Sequence, residues 1–133
     1  MAKITGRVKV TVDTEAGQTL IHSKSGVTIN GLGESGVPPV ERKPVFSDLG
    51  LVGNSEEQVE AFTEFTIIDT EELLLDSLAK VQGGSGSVTI TALTGGKVYT
   101  LVNVTCAGNF TLTTGDGEVP VKFFGKAWTE AVQ

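Results

Sequence analysis

The sequence predicts a mainly β protein, an antiparallel β-sandwich or open barrel with one short α-helix and one long irregular loop. Period-two alternation recurs along the chain, beginning with Ile4, Gly6, Val8, Val10 and Val12 on one face and Thr5, Arg7, Lys9, Thr11 and Asp13 on the other. A single segment, 70–81, carries helical spacing instead. Glycine-rich turns separate the apolar runs of the second half. At 133 residues the chain reads as one domain, 1–133, under the usual length of roughly 100 to 200 residues per domain.

Taken in order, the first strand turns around EAGQ into short strands near 18–22 and 26–30. The stretch GESGVPPVERKPVFSDLGLVGNSEE then shows neither period, and so long a structureless loop inside a compact domain points to a function for it. QVEAFTEFTIID follows as a strand: Val59, Ala61, Thr63, Phe65 and Ile67 share one side, and Gln58, Glu60, Phe62, Glu64 and Thr66 the other. In the helix, Asp69 is a candidate N-cap with Glu72 three residues on, and Leu74, Leu75, Leu78 and Val81 form a core-facing stripe. GGSGS ends it. SVTITAL, GKVYTLVNVT, GNFTLTTG, EVPVKFFG and KAWTEAV read as successive strands of a meander, with Trp128 expected in the core.

Charge narrows the functions. The net charge of −6 disfavours a dedicated nucleic-acid binder, which needs clustered Lys and Arg against phosphate. Glu56, Glu57, Glu60, Glu64, Asp69, Glu71, Glu72 and Asp76 follow one another with no Lys or Arg between them. Such a run is either a solvated face or a surface that repels something anionic. No apolar run is long enough to span a membrane, and no secretory signal pattern opens the chain. One cysteine, Cys106, cannot form an intramolecular disulfide, which fits synthesis in a reducing cytoplasm.

Most chemical motifs fail on inspection. GLGESG, Gly31 to Gly36, spells a dinucleotide fingerprint, but Pro38 and Pro39 follow where a helix must begin. His22 is the single histidine and no serine stands in a nucleophile elbow, so a hydrolytic triad would require an unusual base. Cys106 lies in an apolar run without Lys, Arg or His beside it and reads as buried and structural. Asp116 and Glu118 are too few for a calcium loop, so Asp-Gly there reads as a turn. Asn103 and Asn109 begin N-x-T triplets that matter only in a glycosylating pathway. No cofactor or metal ligand set emerges, and no catalytic residue.

MAKITGRVKVTVD, the ERKPVFSDLGLVGNSEEQVEAFTEFTI block, the short helix, LTGGKVYTLVNVTCAG with its G-K-x-Y-x-L-x-N-V run from Gly96 to Val104, and the closing GDGEVPVKFFG together resemble the tail tube proteins of contractile-tailed, Mu-like phages. The likeness covers almost the whole chain, and order and spacing carry it more than any single piece. It implies a non-enzymatic subunit that forms hexameric rings, stacked into an inner tail tube through which phage DNA leaves the capsid. Its implied partners are further copies of itself, the tail sheath, and a tail terminator or baseplate protein. DNA would pass without specific binding. The implied location is the virion tail, after synthesis in the host cytoplasm.

In tubes of this kind the long loop is similar to an arm that reaches a neighbouring subunit or ring. Residues 34–55 would then be an assembly loop, with Val40, Arg42, Pro44, Val45, Phe46, Leu49, Leu51 and Val52 on the inter-subunit surface. Packing on its own domain is the other reading. The acidic strand would line the lumen through Glu60 and Glu64, with Gln58 and Thr66 on the same parity, and repel DNA phosphate. Rival classes are a soluble β-sandwich that binds carbohydrate through exposed aromatics, an enzyme using Glu60 and Glu64 as paired carboxylates, and a secretion-system tube protein.

Overall fold

A computed structural model of the chain describes residues 7–14, 17–21, 23–69, 75–81, 86–93 and 96–132. Along it run β1 (Val8–Thr14), β2 (Gly17–Ile21), β3 (Ser23–Asn30), β4 (Val40–Ser47), β5 (Gly50–Gln58), β6 (Ala61–Ile68), the helix α1 (Leu75–Ala79), β7 (Gly86–Ala92), β8 (Lys97–Cys106), β9 (Glu118–Gly125) and β10 (Ala127–Val132). Strands pair in the order β2-β1-β7-β8-β9-β6-β3, with β10 added on β8, while β4 and β5 form a separate two-stranded sheet. Every pairing is antiparallel. The large sheet does not close on itself, so the architecture is the expected open, mainly β one with a short helix.

β8 joins the two layers. Its residues 98–102 lie between β7 and β10, whereas Thr105 and Cys106 pair with β9. Asn103, with φ of 54°, sits where the β7–β8 register slips between Gly86 and Ser87. Asparagine tolerates this left-handed conformation better than most residues, and the extra residue bends the strand. It also resets parity: the buried positions are Leu101 before the bulge and Val104 and Cys106 after it.

The core lies between the layers. Val10, Val12, Val88, Ile90, Leu101 and Trp128 enter from β1, β7, β8 and β10, and Phe65, Ile67, Val119, Val121 and Phe123 from β6 and β9. The Phe65 and Phe123 rings stack with centroids 6.0 Å apart. Thr63, fully buried among them, donates its hydroxyl to the Thr28 carbonyl at 2.9 Å, so its burial leaves no polar group unpaired. Leu78 and Val81 pack on the same core, as the helical stripe predicts, and the Cys106 N–H donates to the Val81 carbonyl at 2.8 Å. Leu74 and the Glu72 half of the expected cap lie outside the described residues.

The structure corrects some of the elements read from sequence. GNFTLTTG is not a strand: residues 107–112 have no regular structure, and Thr113 bridges Glu118 across a turn at 114–117. The place beside β8 is already taken by β9, whose other side pairs with β6, so no edge is left for it. The meander also breaks at its end, because β10 returns to β8 and not to β9. Finally, of residues 33–57 only 33–39 are irregular. The rest contain most of the β4–β5 hairpin, whose alternation is invisible because nearly all of it is solvent-exposed and no buried face imprints an apolar period.

Candidate functional site

The hairpin is the feature that stands apart. Among the described residues β4 and β5 pair only with each other, from Val40↔Gln58 to Ser47↔Gly50, over roughly 25 Å at about 3.3 Å per residue. Its shaft is charged and internally paired: Arg42 reaches Glu56 at 3.5 Å and Lys43 reaches Glu57 at 3.4 Å. Its tip is apolar. Val45, Phe46, Leu51 and Val52 surround a turn in which the Leu49 N–H donates to the Ser47 hydroxyl, and Leu49 is 100% exposed. A register slip between Val45 and Phe46 bulges the tip, and Pro44 withholds a backbone donor from β4. All of the sequence-predicted loop residues, Val40, Arg42, Pro44, Val45, Phe46, Leu49, Leu51 and Val52, therefore lie exposed on one hairpin.

A strap of residues 31–39 ties this hairpin to the body. Gly31, with φ of 88°, passes so close to β6 that a Cβ there would lie 2.8 Å from the Ala61 Cα. Only glycine fits such an approach in that conformation. The Asn30 side-chain amide donates to the Glu60 carbonyl at 2.8 Å, and the Trp128 indole donates to the Asn30 carbonyl at 2.8 Å. Pro39 is buried, and its carbonyl accepts from the Val59 N–H at 3.1 Å, which closes the hairpin stem. The glycines of GLGESG thus serve this strap, where no helix follows.

The acidic face is less acidic than the sequence suggests. Glu64 and Thr66 do point outward from β6, and Glu60 immediately precedes it. Lys122 of β9 lies opposite Glu64 and reaches Glu60 at 3.0 Å and Glu64 at 4.0 Å, while its ammonium stands 4.3 Å over the Phe62 ring. Gln58 does not share this strand: it ends β5, opposite Val40, because the chain breaks pairing at Val59 and Glu60 between the two sheets. An open groove of about 400 Å³ crosses the same outer face, lined by Thr28, Glu64, Thr66, Asn109, Pro120 and Lys122 among others. The other acids scatter: Glu56 and Glu57 belong to the hairpin, and Asp76 pairs with Lys80 on the helix side at 2.9 Å.

Catalytic readings find no support in this geometry. Glu60 and Glu64 share Lys122, at 3.0 and 4.0 Å, on a solvent-exposed face crossed by an open groove. Cys106 is buried, and its thiol pKa is raised by desolvation, with the Gly108 backbone hydrogen bond opposing. Trp128, Phe65 and Phe123 are buried, while the exposed Phe46 at the hairpin tip and Phe124 on β9 lie on separate sheets.

The family model for phage tail tube proteins matches residues 1–130. The chain belongs to the phage tail tube protein family. A tail tube protein is a structural component of the virion tail and not an enzyme; the family implies self-assembly into a tube and association with other tail components. No curated protein matches the chain. Among solved structures, the cryo-EM structure of the anti-feeding prophage cap, a tube-terminating cap, is similar over 100% of this tail tube protein and 93% of its own chain, with a TM-score of 0.63 and 11% identity. That likeness is one of fold.

Sequence reasoning missed Lys122 and the strap contacts of Asn30 and Trp128. Lys122 carries the outward parity of EVPVKFFG, but its position opposite Glu64 depends on a pairing between strands more than fifty residues apart.

Proposed function

We propose that this protein forms hexameric rings that stack into the inner tube of a contractile, Mu-like tail and conduct DNA during ejection. The observation that supports the proposal is the hairpin: its tip is exposed and apolar on a self-paired charged shaft, and another copy of the chain would supply the surface that buries it. Residues 1–133 act as one unit, and the assembly arm is β4–β5, with Val40, Arg42, Pro44, Val45, Phe46, Leu49, Leu51 and Val52 at the inter-subunit contact. The sheet edges at β2 and β10 give the ring strands to join. Glu60, Glu64 and Thr66 line the lumen, where Lys122 tempers their charge without making the wall basic; Gln58 belongs to the arm. Sheath, terminator and baseplate proteins are the outer and end partners, and the subunit is made in the host cytoplasm before joining the virion.

Negative-stain electron microscopy of the purified protein tests this. Stacked rings or tubes are expected; isolated rings alone would favour a capping role, and a strict monomer at every concentration tried would refute self-assembly.

A further inference from the structure

The strap that carries the hairpin also lies along β10. This strand pairs with β8 on one side, and the alternation of an antiparallel strand turns the backbone groups of Trp128, Glu130 and Val132 away from β8. The Gly36 N–H donates to the Trp128 carbonyl at 2.9 Å, and the Glu130 N–H donates to the Ser35 hydroxyl at 3.0 Å. Among the described residues the strap bonds reach no further along this edge, and Val132 is 78% exposed.

Of the large sheet's other edges, β2 keeps regular register with β1 over 5 residues, one fewer than β10, and β3 is interrupted by its own geometry. The β3 register breaks between Ser23 and Val27 around Gly26, whose φ is 94°. β10, by contrast, keeps unbroken register with β8 from Ala127 to Val132 and contains no proline. A straight, regular edge of this kind is a template for another strand unless something covers it.

We propose that the outer edge of β10 is a pairing surface for a strand of a second copy of this chain, and that residues 31–39 are its removable cover. The proposal rests on the self-assembly reading above and adds a gate to it. The cover is held on β10 by one glycine N–H and one hydroxyl, both on exposed residues, so its release exchanges two ordinary hydrogen bonds for water. It is also continuous with the hairpin stem through Pro39. A hairpin that swings onto a neighbour draws Ser35 and Gly36 off β10, while the Trp128 indole keeps the strap anchored at Asn30. Docking of the arm then uncovers the edge on which the next contact forms, and a free copy stays covered.

The test uses the full chain in two forms. Ser35→Ala with Gly36→Ala loosens the cover, since a side chain at position 36 meets nothing within 4 Å but strains a φ of 78°. The critical concentration for assembly, measured by sedimentation, should fall about five-fold, the factor for one ordinary hydrogen bond. Hydrogen exchange at the Glu130 N–H should quicken while the β8–β10 bonds stay protected. Ser35→Cys with Glu130→Cys locks the cover by a disulfide: the oxidised protein should not assemble, and reduction should restore assembly. Equal assembly of oxidised and reduced forms overturns the gate and leaves the tube reading standing. Absence of assembly in the parent, the loosened and the reduced forms alike overturns both. Assembly of the loosened form when the parent stays monomeric supports the gate directly. Should the loosened form lose its β-sheet circular dichroism, the comparison of oxidised with reduced protein decides.

Discussion

Excising the arm separates assembly from folding. The cut should replace residues 40–58 with a short Gly-Ser turn, because Pro39 and Val59 are already hydrogen-bonded at 3.1 Å and the ends need little closure. Removing 34–55 instead would strip the strap from β10 and leave Glu56 to Gln58 without their partners across the hairpin. Val45, Phe46, Leu49, Leu51 and Val52 together expose the equivalent of roughly three and a half apolar side chains, worth about 5 to 10 kcal/mol if buried at about 1.5 to 3 kcal/mol each. Association costs an estimated 4 to 15 kcal/mol, so losing that burial should abolish assembly at concentrations where the parent forms tubes. The body should keep its fold, since the large sheet and its core draw no residue from β4 or β5. Circular dichroism and thermal melting report the fold, and sedimentation with electron microscopy reports assembly. Tubes of normal length from the excised protein would refute the arm reading, and loss of the cooperative melt would show that the hairpin belongs to the folding unit.

The remaining expectations concern core, lumen, thiol and salt. Leu78→Ala should cost about 2 to 5 kcal/mol in urea denaturation, because Leu78 is 2% exposed and seats the helix on the sheet; an unchanged midpoint would mean the helix is not packed. Glu60→Lys with Glu64→Lys should leave assembly intact but slow DNA ejection, since with Lys122 it gathers three cations on the proposed lumen face; normal infectivity would remove that face from the lumen. Burial raises the Cys106 thiol above its ordinary value of 9.0, so its contribution is fully present below that pH and is lost as pH rises through the folded value. Denaturation midpoints above about pH 9 should therefore fall in the parent and less in Cys106→Ala. Added sodium chloride should leave the critical concentration unchanged or lower it, because apolar burial drives the contact and the net charge of −6 opposes it; a tenfold rise would point to ion pairs between copies.

How legible these features were depended on whether a buried face stood behind them. β1 and β6 pack one side on the core, and their alternation marked Val10, Val12, Phe65 and Ile67 correctly. Helical spacing found Leu78 and Val81 for the same reason. The hairpin has no such side, so its strands looked irregular, although its exposed apolar residues were identified as the unpartnered ones. Asn103 was read as an ordinary residue because a bulge depends on register against another strand, and register is a property of two segments. The acidic run failed differently. Sequence proximity of Glu56, Glu60 and Glu64 suggested one surface, but the break at Val59 and Glu60 sends them to two sheets with Arg42, Lys43 and Lys122 as counter-charges.

The hairpin and β10 offer two kinds of contact that call for different recognition. At the hairpin tip, Pro44, the bulge and the short span of the pair make backbone pairing poor, so attraction must come from side chains entering a shaped apolar recess. The shaft's exposed ion pairs add little, each about 0.2 to 1 kcal/mol, and serve to keep the two strands in register without inviting other chains. At β10 the attraction is the reverse: backbone donors and acceptors in regular register, almost indifferent to side-chain identity. A contact of the second kind is strong but unselective, and would join any exposed strand. Placing it under a strap that continues into the selective arm makes the unselective bond conditional on the selective one, which is how a subunit carrying an open sheet can remain free until it meets its own kind.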